Sequence, residues 1–599
     1  MSVSTWSIKN PVPSILLFVM LTLLGIVGFR SMKVQQFPDI DLPTISVSAS
    51  LPGTAPAQME TEVARKIENS IATVQGLKHL YTKVQDGVVT ITAEFRLEKT
   101  PQEALDEVRD AVQRVRSDLP GELRDPEISK VNLAGLPILT YTVSSTRMDD
   151  EALSWFVDNE VTKRMLAVTG VGAVGRVGGV TRAVRVELDP ARLLALNVTA
   201  AEISRRLREV QQEAPGGRTD LGGAEQSVRT IATVQTAQAL GALELPLVDG
   251  RSIRLDQVAT VNDGVAERRS AALLNGKPVV GFEITRARSA GEVDVAEGVV
   301  KALDALKAAH PDITITEAFN FVDPVIENFN GSMILLIEGA LLAVLVVWFF
   351  LREWRATLVS AVALPLSAIP TFAVMHWMGF SLNVVTLLSL SLVVGILVDD
   401  AIVEIENIMR HMAGGAGPPQ ADAAPLGGGA GAAGARGPSF GKGPLDAARE
   451  AADEIGMAVI ATSFTLIAVF LPTAFMSGVP GKFFVQFGWT AAIAVFFSLV
   501  VARMLTPMMA AYLLHAPKKE HPEPKWMAAY MKLAAWCLRH RVKTLLATTA
   551  FVVASCAPVF TGQIAGAFIP PDDLSQTQVY ISLPPGSTFK QTHAVAEQA

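Results

Sequence analysis

The sequence predicts a polytopic α-helical membrane protein with a large α+β aqueous domain. Three observations predict it. Only 18% of the 599 residues are Asp, Glu, Lys or Arg, against roughly 25% in an ordinary soluble domain. That deficit is concentrated in seven apolar runs, and a helix needs about 20 residues to cross a bilayer. Between the first two runs, residues 34–330 are polar and carry strand and helix periodicities instead.

The first run, Ser14–Phe29, follows Lys9 and two prolines. A secretory signal peptide is the rival reading, but no small-x-small cleavage site follows; the chain continues Arg30-Ser31-Met32-Lys33. Residues 1–33 are therefore read as an N-terminus and a retained transmembrane helix. Strand-like alternation then appears at Thr44–Ser48 and Val88–Ala93, with helical patterns at Pro56–Val74 and Pro101–Asp118 and a strand near Pro126–Val131. This order fits a ferredoxin-like unit with one strand undistinguished. A second unit begins at Ile138–Val143, is interrupted by an insertion at roughly 175–268, and resumes near Val279–Ile284. The helix Val293–Ala308 and the strand Ile313–Glu317 close it.

The other apolar runs are Met333–Leu351, Leu358–Met378, Val384–Val403, Met457–Ala474, Phe487–Leu514 and Leu545–Phe560. Residues 331–514 thus hold helices two to six, and 543–561 the seventh. The Gly/Ala/Pro-rich stretch Ala413–Gly443 has the composition of a flexible linker. In 515–542, Lys525–Arg541 alternates apolar and basic residues, as a helix lying on a membrane surface does. Phe483–Gly488 is ordinary membrane-edge sequence. Positive charge sets the orientation: Lys9 precedes helix one, Arg352 and Arg355 follow helix two, Arg410, Arg436, Lys442 and Arg449 lie between helices four and five, and seven Lys/Arg separate six from seven. The alternate loops, His376–Leu382 and Met476–Lys482, carry almost none. The N-terminus is expected in the cytoplasm and the large domain outside.

Several classes are disfavoured. A net charge of −7 without a Lys/Arg cluster argues against nucleic acid. Cys537 and Cys556 have no spacing for a disulfide framework or a metal site. There is no Gly-rich phosphate loop and no nucleophile elbow, so neither an enzyme nor a cofactor is expected, and a gradient is the energy source.

Phe37-Pro38-Asp39-Ile40-Asp41-Leu42-Pro43 resembles Ile569-Pro570-Pro571-Asp572-Asp573-Leu574-Ser575, and Leu51-Pro52-Gly53-Thr54 resembles Leu583-Pro584-Pro585-Gly586 at the same offset of 532 residues. Six helices separate the copies, so both start in one orientation, as in a parallel transporter repeat. A parent of twelve helices with two outer domains is expected, with 562–599 as the start of the second outer domain in a fragment or truncated frame.

Helix four contains Gly395-Ile396-Leu397-Val398-Asp399-Asp400-Ala401-Ile402-Val403-Glu404. An ionised Asp at a membrane midplane costs ~3 kcal/mol on insertion scales, and two neighbours repel each other as well. Acids so placed can load and release protons, which is what coupling to a proton gradient requires. Apolar residues continue beyond the pair, which disfavours a headgroup cap. Glu404, one turn on, is either a third relay group or a solvated interfacial acid. Glu338, inside helix two, is either a coupling acid or a structural hydrogen-bonding group.

The run Gly395–Asn407 resembles the helix-four signature of the resistance-nodulation-division exporters. Arg355-Ala356-Thr357-Leu358, Phe37-Pro38, Leu51-Pro52-Gly53, Gly170-Val171-Gly172 and Leu505-Thr506-Pro507 fit as well. The resemblance implies a bacterial inner-membrane homotrimer with periplasmic porter and docking subdomains, the insertion at 175–268 being the docking part. It also implies a periplasmic membrane-fusion adaptor and an outer-membrane channel as partners, and proton antiport through Asp399 and Asp400. Two adjacent aspartates favour the drug-exporting branch and amphiphilic substrates over a heavy-metal exporter. The Pro137 and Val177 positions lack the phenylalanines of the family's deep pocket, and the linker is longer than the family's loop. Because the family draws its Lys and Arg counter-charges from the second half, a non-transporting remnant or regulatory partner is the other alternative, and the chain alone is not expected to pump.

Overall fold

The computed structural model describes residues 3–131, 135–210, 213–231, 234–247, 250–268, 270–288, 290–412, 443–515, 525–562, 577, 579–584 and 586–599. The linker 413–442 and the second repeat copy at 569–575 lie outside the described residues. The chain divides into two units, one comprising 1–133, 291–293 and 323–577, the other 134–290, 294–322 and 578–599.

In the first unit, the strands Thr44–Ser50, Leu77–Gln85, Val88–Phe95 and Glu127–Lys130 form one antiparallel sheet. The spatial order places 77–85 at one edge, then 88–95, 44–50 and 127–130. Ile45, Val47 and Ala49 alternate inward against Ile67, Ile71, Val108 and Val112 of the covering helices, as the period of two requires. Helix Pro101–Arg114 starts where Pro101 fixes φ and the Thr100 hydroxyl accepts the Glu103 N–H at 3.2 Å. The strand that the sequence did not distinguish is Leu77–Gln85. It lies at the sheet edge, and its register shifts between Leu77 and His79, which breaks the alternation.

The second unit repeats this order. Strand Pro137–Ser145 is flanked by Lys277–Arg286 and Ile313–Asn320, and Val171–Gly178 pairs with Lys277–Arg286 on its other edge. A short strand, Ala272–Leu274, hairpins onto 277–286. Because Val171–Gly178 belongs to this sheet, the inserted segment starts after Gly178 and not at about 175. The insertion has its own core: Leu193, Ile203, Leu245, Leu255 and Val258 are buried beneath the paired strands Arg182–Leu188 and Ala259–Val265.

Seven helices among the described residues are long and apolar enough to cross a membrane: Pro11–Ser31, Asp323–Leu351, Trp354–Trp377, Val384–Met412, Pro444–Phe475, Gly478–Leu513 and Arg541–Phe560. They are called helices one to seven below. Helix six begins at Gly478, so the expected loop Met476–Lys482 shrinks to the residues around Ser477. Hydropathy bounds the apolar part of a helix, whereas the backbone ladder runs on through its polar ends. Helices one and three approach closely because helix one offers glycine there: a Cβ added at Gly25 would lie 2.2 Å from the Ile369 carbonyl oxygen. Lys525–Arg539 is a separate helix, with Met531, Leu533, Trp536 and Leu538 exposed.

Candidate functional site

Helix four begins where the Asn383 side-chain oxygen accepts the N–H groups of Val385 and Thr386, at 3.0 and 3.1 Å. It runs 29 residues to Met412, so the aspartate pair sits near its middle and caps neither end. Its buried stripe includes Val393, Leu397, Asp400, Glu404, Asn407 and Ile408, the three-and-four spacing of one helix face. Adjacent residues on a helix point about 100° apart. Asp400 therefore turns inward, 8% exposed, while Asp399 is exposed on the outer side.

Two hydroxyls meet Asp400. Ser463 of helix five and Ser498 of helix six donate to its Oδ2 at 3.2 and 3.1 Å. Each hydroxyl is also placed to donate to a backbone carbonyl, Ser463 to Val459 at 2.8 Å and Ser498 to Leu397 at 3.2 Å. A hydroxyl has one proton and two lone pairs. When Asp400 is ionised, both serines can donate to it. When Asp400 is protonated, they can turn to the carbonyls and offer a lone pair to its O–H. The site can thus satisfy the acid in either state without moving a helix.

Further along the stripe, Glu404 is fully buried, and neither of its carboxylate oxygens has a hydrogen-bond partner among the described residues. Asn407 Nδ2 donates to the Ala451 carbonyl of helix five at 3.2 Å. A cation faces the same seam. Arg503 of helix six is 9% exposed, donates from Nη1 to the Ala452 carbonyl at 2.8 Å, and acts electrostatically on Glu404. Its guanidinium lies against Gly456, where an added Cβ would come within 2.6 Å of Nη2.

Local sequence explains how Arg503 reaches that position. In an ideal helix, Ser498 and Arg503, five residues apart, diverge by about 140°. The turn Val501–Leu505 is a π-helix, with the Thr506 N–H bonded to the Val501 carbonyl. Its extra residue restores the phase and brings both side chains to the seam. Pro507 follows, has no N–H to give the Arg503 carbonyl, and would press its ring on that carbonyl in a regular helix. The Thr506-Pro507 pair therefore sets the bulge that aims the arginine.

Of the acids singled out from sequence, the structure gathers Asp400 and Glu404 on one buried face. Asp399 lies outside it, and Glu338 is exposed on helix two and does not join them. Glu404 is not a solvated interfacial acid, because the helix packs over it. Arg503 brings a cation of this chain to Glu404, whereas the charged group acting on Asp400 among the described residues is Asp399. Ser463, Ser498 and Arg503 were missed. Arg503 was detectable as the single charge in Phe487–Leu514, whereas the serines carry no signal apart from their partners.

The AcrB/AcrD/AcrF family profile matches residues 3–599. Among similar proteins is a multidrug resistance protein MdtC of Pectobacterium atrosepticum, 31% identical over 550 residues, which cover 90% of this chain and 51% of that protein. MdtC of Pantoea ananatis is 33% identical over 520 residues, covering 86% and 48%. MdtC of Klebsiella pneumoniae is 32% identical over 554 residues, covering 89% and 50%. The chain spans about half the length of the curated relatives it matches.

Proposed function

The chain belongs to the AcrB/AcrD/AcrF family of multidrug efflux transporters, and on that footing we propose that it works in a proton/substrate antiporter that exports amphiphilic or hydrophobic compounds. The family consists of resistance-nodulation-division transporters and not enzymes, and together with the seven apolar helices of this chain it indicates a multi-pass inner-membrane protein. The observation that carries the proton reading is Asp400, buried mid-helix with two hydroxyls able to serve both of its protonation states. Protonation from one side and release to the other changes the charge on the face where helices four, five and six meet. Such a change can bias helix packing, which is how a proton gradient is converted into alternating exposure of a substrate site. Asp399, on the outer side of helix four, is the second coupling group in this reading.

The wider assembly follows the family. The N-terminus lies in the cytoplasm, in line with the Lys/Arg asymmetry, and residues 34–330 in the periplasm. The two βαββαβ units act as porter subdomains and the inserted module as the docking part. The functional protein has twelve spans, forms a homotrimer, and engages a periplasmic adaptor and an outer-membrane channel. The positions near Pro137 and Val177, matching those where the best-known drug pumps carry phenylalanine, favour a less aromatic substrate pocket.

Deleting the gene in its natural host tests this. Sensitivity to dyes, detergents and lipophilic antibiotics is expected to rise, and protonophore-sensitive dye efflux to fall. Unchanged values across a wide panel would sink the proposal, and sensitivity confined to metal salts would move the chain to the metal-exporting branch. A finer test is Ser498→Ala, which removes one donor from Asp400. A hydrogen bond to a charged group contributes about 1.5–3 kcal/mol, so a slowing of efflux by roughly tenfold is expected, at normal protein level. A wild-type rate would show that the serine does not serve the acid.

A further inference from the structure

The coupling of Asp400 leaves a second buried acid unused. Glu404 lies one turn from Asp400, about 6 Å along the helix axis. It is 0% exposed, and among the described residues no hydrogen bond reaches either oxygen. A structural carboxylate is normally held by two or more donors, because a bare buried charge is costly. Glu404 holds nothing in place.

Its electrostatic surroundings are specific. Among the described residues, the charged groups acting on it are Arg503 from helix six and Asp400 from its own helix. Helices three and five also bring apolar residues to this stretch, where Ala356, Val359, Ala448 and Ala451 cluster with Ile405 and Ile408 of helix four. Arg503 is permanently charged, and it is anchored to the Ala452 carbonyl rather than to Glu404. An acid in this setting can take a proton without breaking a bond and lose it without leaving an isolated charge.

The same helix face continues toward its end. Asp400, Glu404, Asn407 and His411 follow the spacing of one face. His411 Nε2 meets the Glu454 carboxylate at 2.5 Å, and Arg410 donates to the same carboxylate at 2.8 Å. The His411 side chain is 19% exposed. The stripe thus leads from the buried Asp400 to a titratable, partly exposed group near the helix terminus.

We infer that Glu404 is a second proton-carrying site, passing protons between Asp400 and the His411 end of helix four, with Arg503 as the cation that balances its charge. The inference rests on Asp400 being a coupling site. It moves one proton from carboxyl to carboxylate and needs no other reactant.

The test places Glu404→Gln and Glu404→Asp in the gene at its natural locus and measures dye efflux in energised cells, from mildly acidic to mildly alkaline medium. Glu404→Gln is expected to slow efflux by roughly tenfold and flatten its pH profile, with unchanged protein in the membrane. Glu404→Asp is expected to restore both. Dicyclohexylcarbodiimide, which attacks protonated carboxyls in apolar surroundings, is expected to label Glu404 in acidic medium and lose it in alkaline medium, read by peptide mass spectrometry. A Glu404→Gln protein with wild-type rate and pH profile overturns the inference. So does a loss of rate with an unshifted profile that Glu404→Asp does not restore, which is the mark of a packing role. Asp400→Asn separates the two claims. If it exports normally, the coupling reading fails; if it is inactive while Glu404→Gln is normal, only the relay fails.

Discussion

Asp400→Asn is expected to abolish proton-driven export while the protein stays in the membrane at its normal level. Asparagine keeps the shape of the side chain, and its oxygen can still accept from Ser463 and Ser498 in place of Oδ2. Packing is therefore preserved and only the ability to change charge is removed. Positioned proton-transfer groups contribute about 10²–10⁴-fold to the steps they serve, so the efflux rate should fall by at least roughly a hundredfold. The measurement is dye efflux in energised cells, with immunoblotting for protein level. Asp399→Asn is the companion variant. Asp399 lacks the two serine donors and sits on the exposed side, so a smaller loss there would assign the main coupling role to Asp400. Normal export by Asp400→Asn would refute that role.

Gly25→Leu is expected to remove most of the folded protein from the membrane. Helix one meets helix three through Gly25 and Gly28, and a Cβ at Gly28 would lie 2.8 Å from the Phe372 carbonyl oxygen. At Gly25 the obstacle is the Ile369 backbone itself, at 2.2 and 2.6 Å from an added Cβ. The backbone cannot rotate aside as a side chain can, so helix three must move as a body. Overpacking costs typically about 1–3 kcal/mol, and here the whole leucine must be accommodated. In lipid no hydrophobic force drives the two helices together again, since association depends on close packing. Val27→Leu, at a position 63% exposed, should leave the level unchanged. Equal levels for the two variants would show that the glycine contact does not hold helix one in place.

Much of the site's identity was legible in the sequence, and its reach was not. Two adjacent carboxylates in an apolar run are a local signal, because the cost of charge in lipid applies to whatever side chain is there. Which of the pair turns inward depends on the phase of helix four against helices five and six. Arg503 was visible as a lone charge, but its direction depends on a π-turn that Pro507 induces. The strand Leu77–Gln85 was hidden for a related reason: an edge strand with a register shift carries no clean alternation.

The sequence by itself determined the membrane class, the seven apolar spans, much of the order of strands and helices outside them, and the acid pair. Each of these is set by composition or periodicity within a short window, where hydration and backbone geometry act locally. Only the tertiary structure decided that Asp400 and Glu404 share a buried seam, that two serines and an arginine face it, and that Asp399 and Glu338 lie outside it. Those facts depend on the rotation and packing of helices far apart in the chain, which no local window contains.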